Sequence, residues 1–374
     1  MQLTKHTLPL GRVFGIPVDI DYSWFLILGL FTWLLAVGYF PYQFKHWSAA
    51  EYWIVGAISA AMLFVCVLLH EFGHSLVAMH YKVPVSRITL FIFGGVSEIA
   101  AEPPSASAEF WIAIAGPAVS LALGGLFYVA RFFVVGFTPV LALVEYLALI
   151  NVVLAIFNLV PGFPLDGGRV LRAIIWGSSK DFQRATMLAA NTGRFFGYAM
   201  IFYGIWRMLT GDLFEGIWIA FVGWFLESAA AAQIQQTMVK GLLVGHKVSE
   251  VMNRNFEPLP GSTTLEELVE KHVLGTGRRA FIVGHNGAPV GLLTLTGIRQ
   301  IPRTNWPITT AEQAMIPFEQ VKTITPTAEL WTAFEKMGRD GVNQLPVVDD
   351  GHMVGMLSRD DIVDYLRLLQ QLRT

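Results

Sequence analysis

Residues 68–80 read Leu-Leu-His-Glu-Phe-Gly-His-Ser-Leu-Val-Ala-Met-His, and this stretch decides both the fold and the chemistry of the chain. His70 and His74 are four positions apart, so on a helix they share a face and present two imidazoles to one metal ion. Glu71 lies beside them, where a carboxylate can carry a proton. Residues 52–69, which come just before, are uncharged and largely apolar. The pattern therefore predicts a metal site within a membrane-spanning helix.

The composition also indicates a membrane protein. Of the 374 residues, 54% are hydrophobic and 14% are charged, whereas soluble proteins carry about 25% charged residues. The net charge of −2 is uninformative about partners, and no feature of the sequence suggests a nucleic-acid-binding surface. The single cysteine, Cys66, excludes an internal disulfide and a Cys-rich zinc site, and we interpret it as a small buried apolar residue. The first apolar run lacks the pattern of a cleavable signal peptide, so we expect it to remain as a membrane span.

Six apolar segments are predicted to cross a bilayer. A further segment, residues 83–101, is rich in β-branched and aromatic residues around Gly94-Gly95 and predicts a β-hairpin over residues 88–99. This hairpin is too short to span as a helix, so we expect it to dip into the membrane or lie at its surface, against protein. The six predicted spans are residues 22–41, 52–80, 108–135, 139–160, 186–210 and 213–234.

The distribution of Lys and Arg in short loops predicts the orientation of the chain. Six spans place both termini on one side of the membrane, and most of the short-loop Lys and Arg fall on that side. On the other side are only Lys45, Arg131 and Arg207. We therefore expect a multi-pass cell-membrane protein with both termini in the cytoplasm. His70 and His74 then approach the cytoplasmic half of the membrane.

A catalytic zinc ion needs three protein ligands and an open position for water. Asp166 is the best candidate for the third ligand, because the two prolines and three glycines of residues 158–168 break the fourth span near it. A second interpretation, that Asp166 only caps the following helix, is equally consistent with the pattern. Glu145, within the fourth span, is likewise open to two interpretations: it is either a site residue or a carboxylate that is solvated at the membrane–water interface.

An internal repeat follows residue 240, where the composition becomes that of a soluble domain. Each copy has a helix–strand–strand–helix pattern, and Met252 of the first copy corresponds to Met315 of the second. The repeat resembles a tandem pair of cystathionine-β-synthase (CBS) domains, at about residues 245–303 and 308–370. That resemblance implies a cleft for an adenine nucleotide (ATP, ADP or AMP). A purely structural or dimerising role, giving a homodimer through these domains, remains the alternative.

The CBS resemblance also implies particular nucleotide contacts. Such pairs use a Gly-x-x-Ser/Thr-x-x-Asp stretch, with the hydroxyl toward phosphate and the carboxylate toward ribose. The second copy keeps this stretch as Gly355 to Asp361, with Ser358 as the hydroxyl residue. The first copy has Thr294 as the hydroxyl residue but Gly297 in place of the aspartate. At most one half-site is therefore intact.

The whole chain resembles the site-2 protease family of intramembrane zinc metalloproteases, in the branch that carries C-terminal CBS domains. The resemblance rests on the six spans, His-Glu-x-x-His in the second span, the Gly-Gly hairpin, and Asn-x-x-Pro-x-x-x-Leu-Asp-Gly after the fourth span. It implies one catalytic Zn²⁺ held by His70, His74 and Asp166. It also implies that Glu71 is the general base and that Asn158 steadies the substrate carbonyl or its oxyanion.

One position departs from the pattern of that family. Ser120 stands where the family has asparagine in its Gly-Pro-x-x-Asn stretch. We interpret this change as affecting a local packing contact and not the zinc site.

The expected fold is a polytopic α-helical membrane protein of about six transmembrane helices and a membrane-associated β-hairpin, with a C-terminal soluble α/β tandem CBS pair. Residues 1–240 would form the transmembrane protease domain and residues 241–374 the regulatory domain. The substrate would be a transmembrane segment of another protein, unwound and held by edge pairing. The residues expected to contact it are Leu90, Ile92, Gly94 and Gly95.

Two other classes of function are consistent with parts of the sequence. A nucleotide-gated transporter would place Glu145 and Asp166 in its path and would be insensitive to Glu71→Gln. The spans carry few other charges, which disfavours this reading. A degenerate protease that only binds membrane proteins is disfavoured by the completeness of the set of candidate ligands.

Overall fold

The structure, a computed structural model, describes residues 7–92, 94–99, 101–276, 279–285 and 288–373. It divides into two units, Met1–Thr237 and Met238–Thr374. The division falls within one long helix, Leu213–Leu243, which begins in the first unit and ends in the second.

Long apolar helices build the N-terminal unit. A π-helical turn (Leu35–Tyr39) joins the first two helices, and a 3₁₀ turn (Arg131–Phe133) extends the fourth. In chain order the helices are α1 (Ser23–Leu34), α2 (Phe40–Gln43), α3 (Ala49–His80), α4 (Ala106–Ala130), α5 (Thr138–Asn158), α6 (Asp166–Ser179), α7 (Phe182–Leu209) and α8 (Leu213–Leu243).

The start of α3 is fixed by a capping box. The Ser48 hydroxyl accepts a hydrogen bond from the backbone N–H of Glu51, and the Glu51 carboxylate accepts one from the backbone N–H of Ser48. The helix then runs for 32 residues, a length of about 48 Å at about 1.5 Å per residue, and the histidine motif lies in its last three turns. This length exceeds the hydrocarbon thickness of a bilayer, so part of α3 extends beyond it.

Within the described residues, five helical segments are long and apolar enough to cross a membrane: Ser23–Gln43, Ala49–His80, Ala106–Phe133, Thr138–Asn158 and Leu213–Leu243. The remaining predicted span, residues 186–210, falls on α7. This helix has 28 residues and is long enough to cross. Its sequence is less apolar, because Arg184, Arg194 and Arg207 are spaced along it.

A four-stranded sheet lies against α3 in the order β1-β2-β3-β4. The predicted hairpin forms its last two strands, which pair antiparallel, and β2 pairs with β3 in parallel. Phe72 of α3 packs against Ile16 and Ile88 on the buried face of the sheet. Residues 7–13 and 16–21 therefore complete a sheet with the predicted hairpin. The strands are β1 (Thr7–Val13), β2 (Ile16–Asp21), β3 (Val85–Phe91) and β4 (Gly94–Ile99).

The break after α5 is held by α7. The backbone N–H of Phe163 donates to the carbonyl of Ala189, at 3.2 Å. A Cβ at Gly193 would overlap the carbonyl oxygen of Phe163, so only glycine at this position allows α7 to pack this closely against the segment that follows α5. A Cβ at Gly168, at the start of α6, would likewise overlap the backbone of the broken segment. The glycines therefore allow α6 to begin close to the end of α5.

The C-terminal unit contains two similar modules. One has the sheet β5-β6-β7-β8 and the other the pair β9-β10. The elements are α9 (Val248–Val251), β5 (Leu259–Pro260), α10 (Leu265–Glu267), α11 (Leu274–Thr276), β6 (Ala280–His285), β7 (Ala288–Thr294), α12 (Leu295–Arg299), α13 (Ala311–Ala314), β8 (Ile316–Pro317), α14 (Leu330–Asp340), β9 (Gln344–Asp349), β10 (His352–Ser358) and α15 (Arg359–Arg373).

The leading segment of each repeat packs with the other repeat. Val248 and Met252 belong to the core of the second module, around Leu330 and Leu357. Met315 belongs to the core of the first module. Met252 leads the first repeat in the sequence, but in the structure it packs against the core of the second module. Each leading segment makes its apolar contacts with the module that contains the strands of the other repeat.

Candidate metal centre

Three side chains from two helices converge in the N-terminal unit. His70 and His74 are one turn apart on α3, and Asp166 is the first residue of α6. The Oδ2 atom of Asp166 lies 3.1 Å from the Nε2 atom of each histidine, and the two Nε2 atoms are 3.2 Å apart. Among the described residues, these three form the one group of His, Cys, Asp or Glu side chains arranged to hold a metal ion.

These distances fit zinc. Bonds of about 2.0–2.1 Å at tetrahedral angles place neighbouring donor atoms about 3.3 Å apart. Two imidazoles and one carboxylate form a donor set of catalytic zinc sites, with a fourth position for water. The convergence of the three donor atoms supports the ligand interpretation of Asp166 over the capping interpretation. Leu165 occupies the N-cap position of α6, and no side-chain hydrogen bond caps this helix within the described chain.

Both histidines are oriented by α4. The Nδ1 atom of His74 lies 2.6 Å from the carbonyl oxygen of Ile112, so Nδ1–H donates and Nε2 is left with its lone pair toward the cluster. The Nδ1 atom of His70 lies 2.9 Å from the hydroxyl of Ser120. The sequence analysis assigned Ser120 only a packing contact, and that assignment is wrong because the hydroxyl touches a candidate zinc ligand.

Gly116 lies between these two contacts. A Cβ at this position would overlap the Nε2 atoms of both histidines. At Gly73, on the facing helix, a Cβ would lie 2.9 Å from Cγ2 of Val119 and 3.0 Å from the carbonyl oxygen of Ala115. The two glycines therefore let α3 and α4 approach closely at the cluster. Gly116 and Ser120 were not predicted as site residues, although Ile112, Gly116 and Ser120 recur every four positions on one face of α4.

The position of α6 is set by a buried ion pair that the sequence analysis missed. Arg172 donates to Oε1 of Glu109 on α4, with Nε at 2.8 Å. Its guanidinium also lies over the rings of Phe163 and Phe182, with distances of 4.9 and 4.6 Å to the ring centroids. Glu109 is fully buried. Since Asp166 begins the same helix, this pairing also helps to hold the third candidate ligand in place.

Glu71 points from α3 toward β4. Its Oε2 atom accepts a hydrogen bond from the hydroxyl of Ser97, at 2.7 Å. A Cβ at Gly95 would lie 2.5 Å from Cγ of Glu71, so glycine is required where β4 passes the carboxylate. Glu71 is therefore held beside the cluster without being one of its three donors, as the motif predicts for a proton carrier.

A cavity of about 540 Å³ opens over the cluster. It is lined mainly by apolar side chains of α1, α3, α5 and α8, among them Phe64, Phe157 and Phe221. Four of the predicted site residues also line it beside the cluster and Glu71: Ile92, Gly94, Gly95 and Asn158. Leu90 is not among the residues lining it. Its side chain is 3% exposed, within the sheet, because alternate residues of a strand face opposite sides.

Glu145 lies away from this cavity. Its Oε1 atom is 3.3 Å from the Nη2 atom of Arg131, and both side chains are about one-third exposed. The pair joins α5 to the turn after α4, which supports the interfacial interpretation of this carboxylate. Cys66 is buried and free.

The predicted nucleotide residues lie in the C-terminal unit. Ser358 and Asp361 line a cavity of about 230 Å³, to which Arg279 and Phe281 of the other module also contribute. The Ser358 hydroxyl and backbone N–H both donate to Oδ2 of Asp361, at 2.6 and 2.8 Å. Thr294 is not among the residues lining this cavity, and its hydroxyl accepts a hydrogen bond from the backbone N–H of Gly297.

A helical membrane domain with a His-His-Asp cluster and a neighbouring glutamate defines the class of membrane metallopeptidases. The model of peptidase family M50 matches residues 58–144 and 137–200, and the CBS-domain model matches residues 248–302 and 311–368. The chain belongs to family M50, the site-2 protease family of zinc metalloproteases, and carries C-terminal CBS domains. The expected fold class and enzyme class are thereby confirmed.

Two relatives match nearly the whole length of the chain. Rip3 of Mycobacterium tuberculosis is 34% identical over 374 residues, covering 98% of this chain and 95% of Rip3. The zinc metalloprotease MJ0392 of Methanocaldococcus jannaschii is 27% identical over 367 residues and covers 98% of both chains. A solved structure of a site-2 protease from Methanocaldococcus jannaschii is 30% identical, with a TM-score of 0.42, and covers 61% of this chain and 95% of that one.

Proposed function

We propose that this enzyme cleaves peptide bonds within transmembrane segments of other membrane proteins, as a protease of regulated intramembrane proteolysis. The observation that carries the proposal is the position of Glu71 and the three converging donors at the wall of a cavity that is lined mainly by apolar side chains. A transmembrane segment is apolar, and an apolar cavity of this size can receive a short stretch of it around the scissile bond.

His70, His74 and Asp166 would hold one zinc ion. When bound, zinc supplies Lewis-acid activation of a water molecule and of the scissile carbonyl. The Glu71 carboxylate accepts the proton of the attacking water and delivers it to the amide nitrogen as the C–N bond breaks. Ser97 fixes the direction of Glu71 through its hydrogen bond to Oε2. Asn158, at the wall of the cavity, would donate to the substrate carbonyl.

The substrate would lie as an extended strand along β4. A peptide bond in a helix is shielded by its own turn, so cleavage requires local unwinding. β4 is the last strand of its sheet, and its outer edge offers backbone donors and acceptors to an extended chain. Ile92, Gly94 and Gly95 line the same cavity as Glu71 and would contact the substrate, whereas Leu90 would act only through the fold of the sheet.

We further propose that both termini and the CBS domains are cytoplasmic, with residues 1–240 as the protease domain and 241–374 as the regulatory domain. This orientation requires α7 to cross the membrane with the five more apolar segments, and the loop charges support it. A reporter enzyme that is active only in the cytoplasm, fused after residue 374, should be active. The same reporter inserted at residue 135 should be inactive.

The CBS domains would bind an adenine nucleotide through Ser358 and Asp361, and this binding, or dimerisation through the same domains, would modulate cleavage. Arg279 lines the same cavity and supplies positive charge for phosphate. Equilibrium binding of ATP, ADP and AMP by the purified protein tests this. Asp361→Asn should weaken binding, and Thr294→Val should leave it unchanged, because Thr294 lies outside the residues lining the cavity.

Cleavage of a transmembrane reporter by the purified protein in proteoliposomes tests the central proposal. The wild type should cleave it, and Glu71→Gln should bind the same amount of zinc but cleave at less than a hundredth of the rate. A zinc chelator should stop cleavage, and added zinc should restore it. Equal cleavage by wild type and Glu71→Gln would refute the proposal.

A further inference from the structure

Arg169 lies at the wall of the cavity, beside the three candidate ligands. It follows Asp166 by three positions on α6, so the two side chains share a face of the helix. Its side chain is 19% exposed, and it is among the residues that line the cavity. The guanidinium is within electrostatic range of Asp166, Glu71 and Glu109.

The hydrogen-bond donors of Arg169 are available. Within the described chain, no hydrogen bond from its guanidinium is present, and its nearest carboxylate oxygen is Oε1 of Glu109, 3.9 Å from Nε. That oxygen already accepts from Arg172. A guanidinium carries several N–H donors in a planar fork and stays charged. Since Glu109 is already engaged by Arg172, the guanidinium of Arg169 can donate to a ligand that enters the cavity it lines.

The surroundings distinguish Arg169 from Arg172, its neighbour one turn along α6. Arg172 is paired with Glu109 and packed over two aromatic rings, so its charge and its donors are both engaged. The Nε atom of Arg169 lies 3.9 Å from the same oxygen of Glu109, beyond hydrogen-bond distance, and its side chain lines the cavity that the cluster also lines. One arginine therefore holds the helix in place, and the other presents a positive charge to the cavity.

We propose that Arg169 is a catalytic residue that donates a hydrogen bond to the carbonyl oxygen of the scissile peptide bond. This inference rests on the proposed protease function. As the oxygen of water bonds to the carbonyl carbon, the carbonyl oxygen gains negative charge and Glu71 takes the proton. The C–N bond then breaks, the electron pair returns to form the carboxyl group, and the proton goes to the leaving nitrogen. Arg169 exchanges no proton, and its hydrogen bond strengthens as the negative charge develops.

The test compares Arg169→Met and Arg169→Lys with wild type in proteoliposomes. Loss of one donor to a developing oxyanion lowers kcat by about 100-fold or more. We expect that loss in Arg169→Met, with KM changed less than threefold and with zinc content and melting temperature retained. Arg169→Lys, which keeps the charge without the planar fork, should recover part of the rate. A phosphinic peptide that mimics the charged tetrahedral state should bind Arg169→Met at least tenfold more weakly, whereas an uncleaved substrate analogue should bind equally well.

The matched control is Arg184→Met, because Arg184 is an exposed residue in the first turn of α7. It should have wild-type kcat. A kcat for Arg169→Met within threefold of wild type would overturn the inference, and so would a loss of rate explained by a matching loss of zinc. These outcomes are distinct from failure of the proposed function. In that case the wild type itself would not cleave, or would cleave independently of Glu71.

Discussion

Removing the Ser120 hydroxyl should weaken zinc binding without unfolding the protein. Its Oγ atom lies 2.9 Å from Nδ1 of His70, and Ser120 is fully buried. In Ser120→Ala the imidazole N–H loses its partner, and burial keeps bulk water from replacing it. A buried donor left without a partner costs about 1–3 kcal/mol. At about 1.4 kcal/mol per tenfold change, this predicts zinc affinity weaker by about 10- to 100-fold.

The assay is competition for zinc between the purified protein and a chelator of known affinity, with bound zinc measured after equilibrium dialysis. Ser59→Ala is the matched control. Ser59 is also a fully buried serine, on the histidine helix α3, and its hydroxyl has no hydrogen-bond partner within the described chain. Its replacement should leave zinc affinity unchanged. A zinc affinity of Ser120→Ala within twofold of wild type would refute the argument that this hydroxyl orients His70.

Three further predictions follow from single contacts. Gly116→Ala should abolish tight zinc binding, measured as zinc per chain, because its methyl group would overlap both histidine Nε2 atoms. Gly95→Val should lower kcat while zinc is retained, since its Cβ would lie 2.5 Å from Cγ of Glu71. His246 lowers the pKa of Glu250, so their contact stabilises the fold above the ordinary carboxyl pKa and is lost as pH falls through the lowered value. The stability advantage of wild type over His246→Ala, measured by chemical unfolding, should shrink over that range.

The histidine motif and the membrane-spanning helix that contains it could be predicted from the sequence, because both depend on local geometry. Helical periodicity fixes the relation of His70 to His74, and an apolar run of this length predicts a span. Asp166 was harder, since the motif leaves open whether it binds metal or caps a helix. The structure favours the first role because Leu165 takes the cap position, leaving the carboxylate directed at the imidazoles.

The pairing of segments that are far apart in the chain could not be predicted from the sequence. The strands of residues 7–13 and 16–21 have an ordinary strand pattern, but nothing in that pattern names β3 as the parallel partner of β2. In the C-terminal unit, the repeat showed that Met252 and Met315 are equivalent positions. It did not show that the leading segment of each repeat packs against the other repeat. The sulfur atoms of these methionines pack against Gly355 and Gly291 respectively, each in the other repeat. Equivalent positions in a repeat can therefore contact the opposite copy.

The residues of α4 that contact the candidate metal ligands are spaced four positions apart. This spacing can be interpreted only once α3 is known to pack beside α4. Ile112, Gly116 and Ser120 recur every four residues, as His70 and His74 do on α3. Ile112 contacts His74 and Ser120 contacts His70, an order that requires α3 and α4 to run antiparallel. Gly116 then falls between the two imidazoles, where a side chain would displace them. The histidine motif thus supplies donors, and a second helix with matching spacing directs both imidazoles and fixes the tautomer of His74.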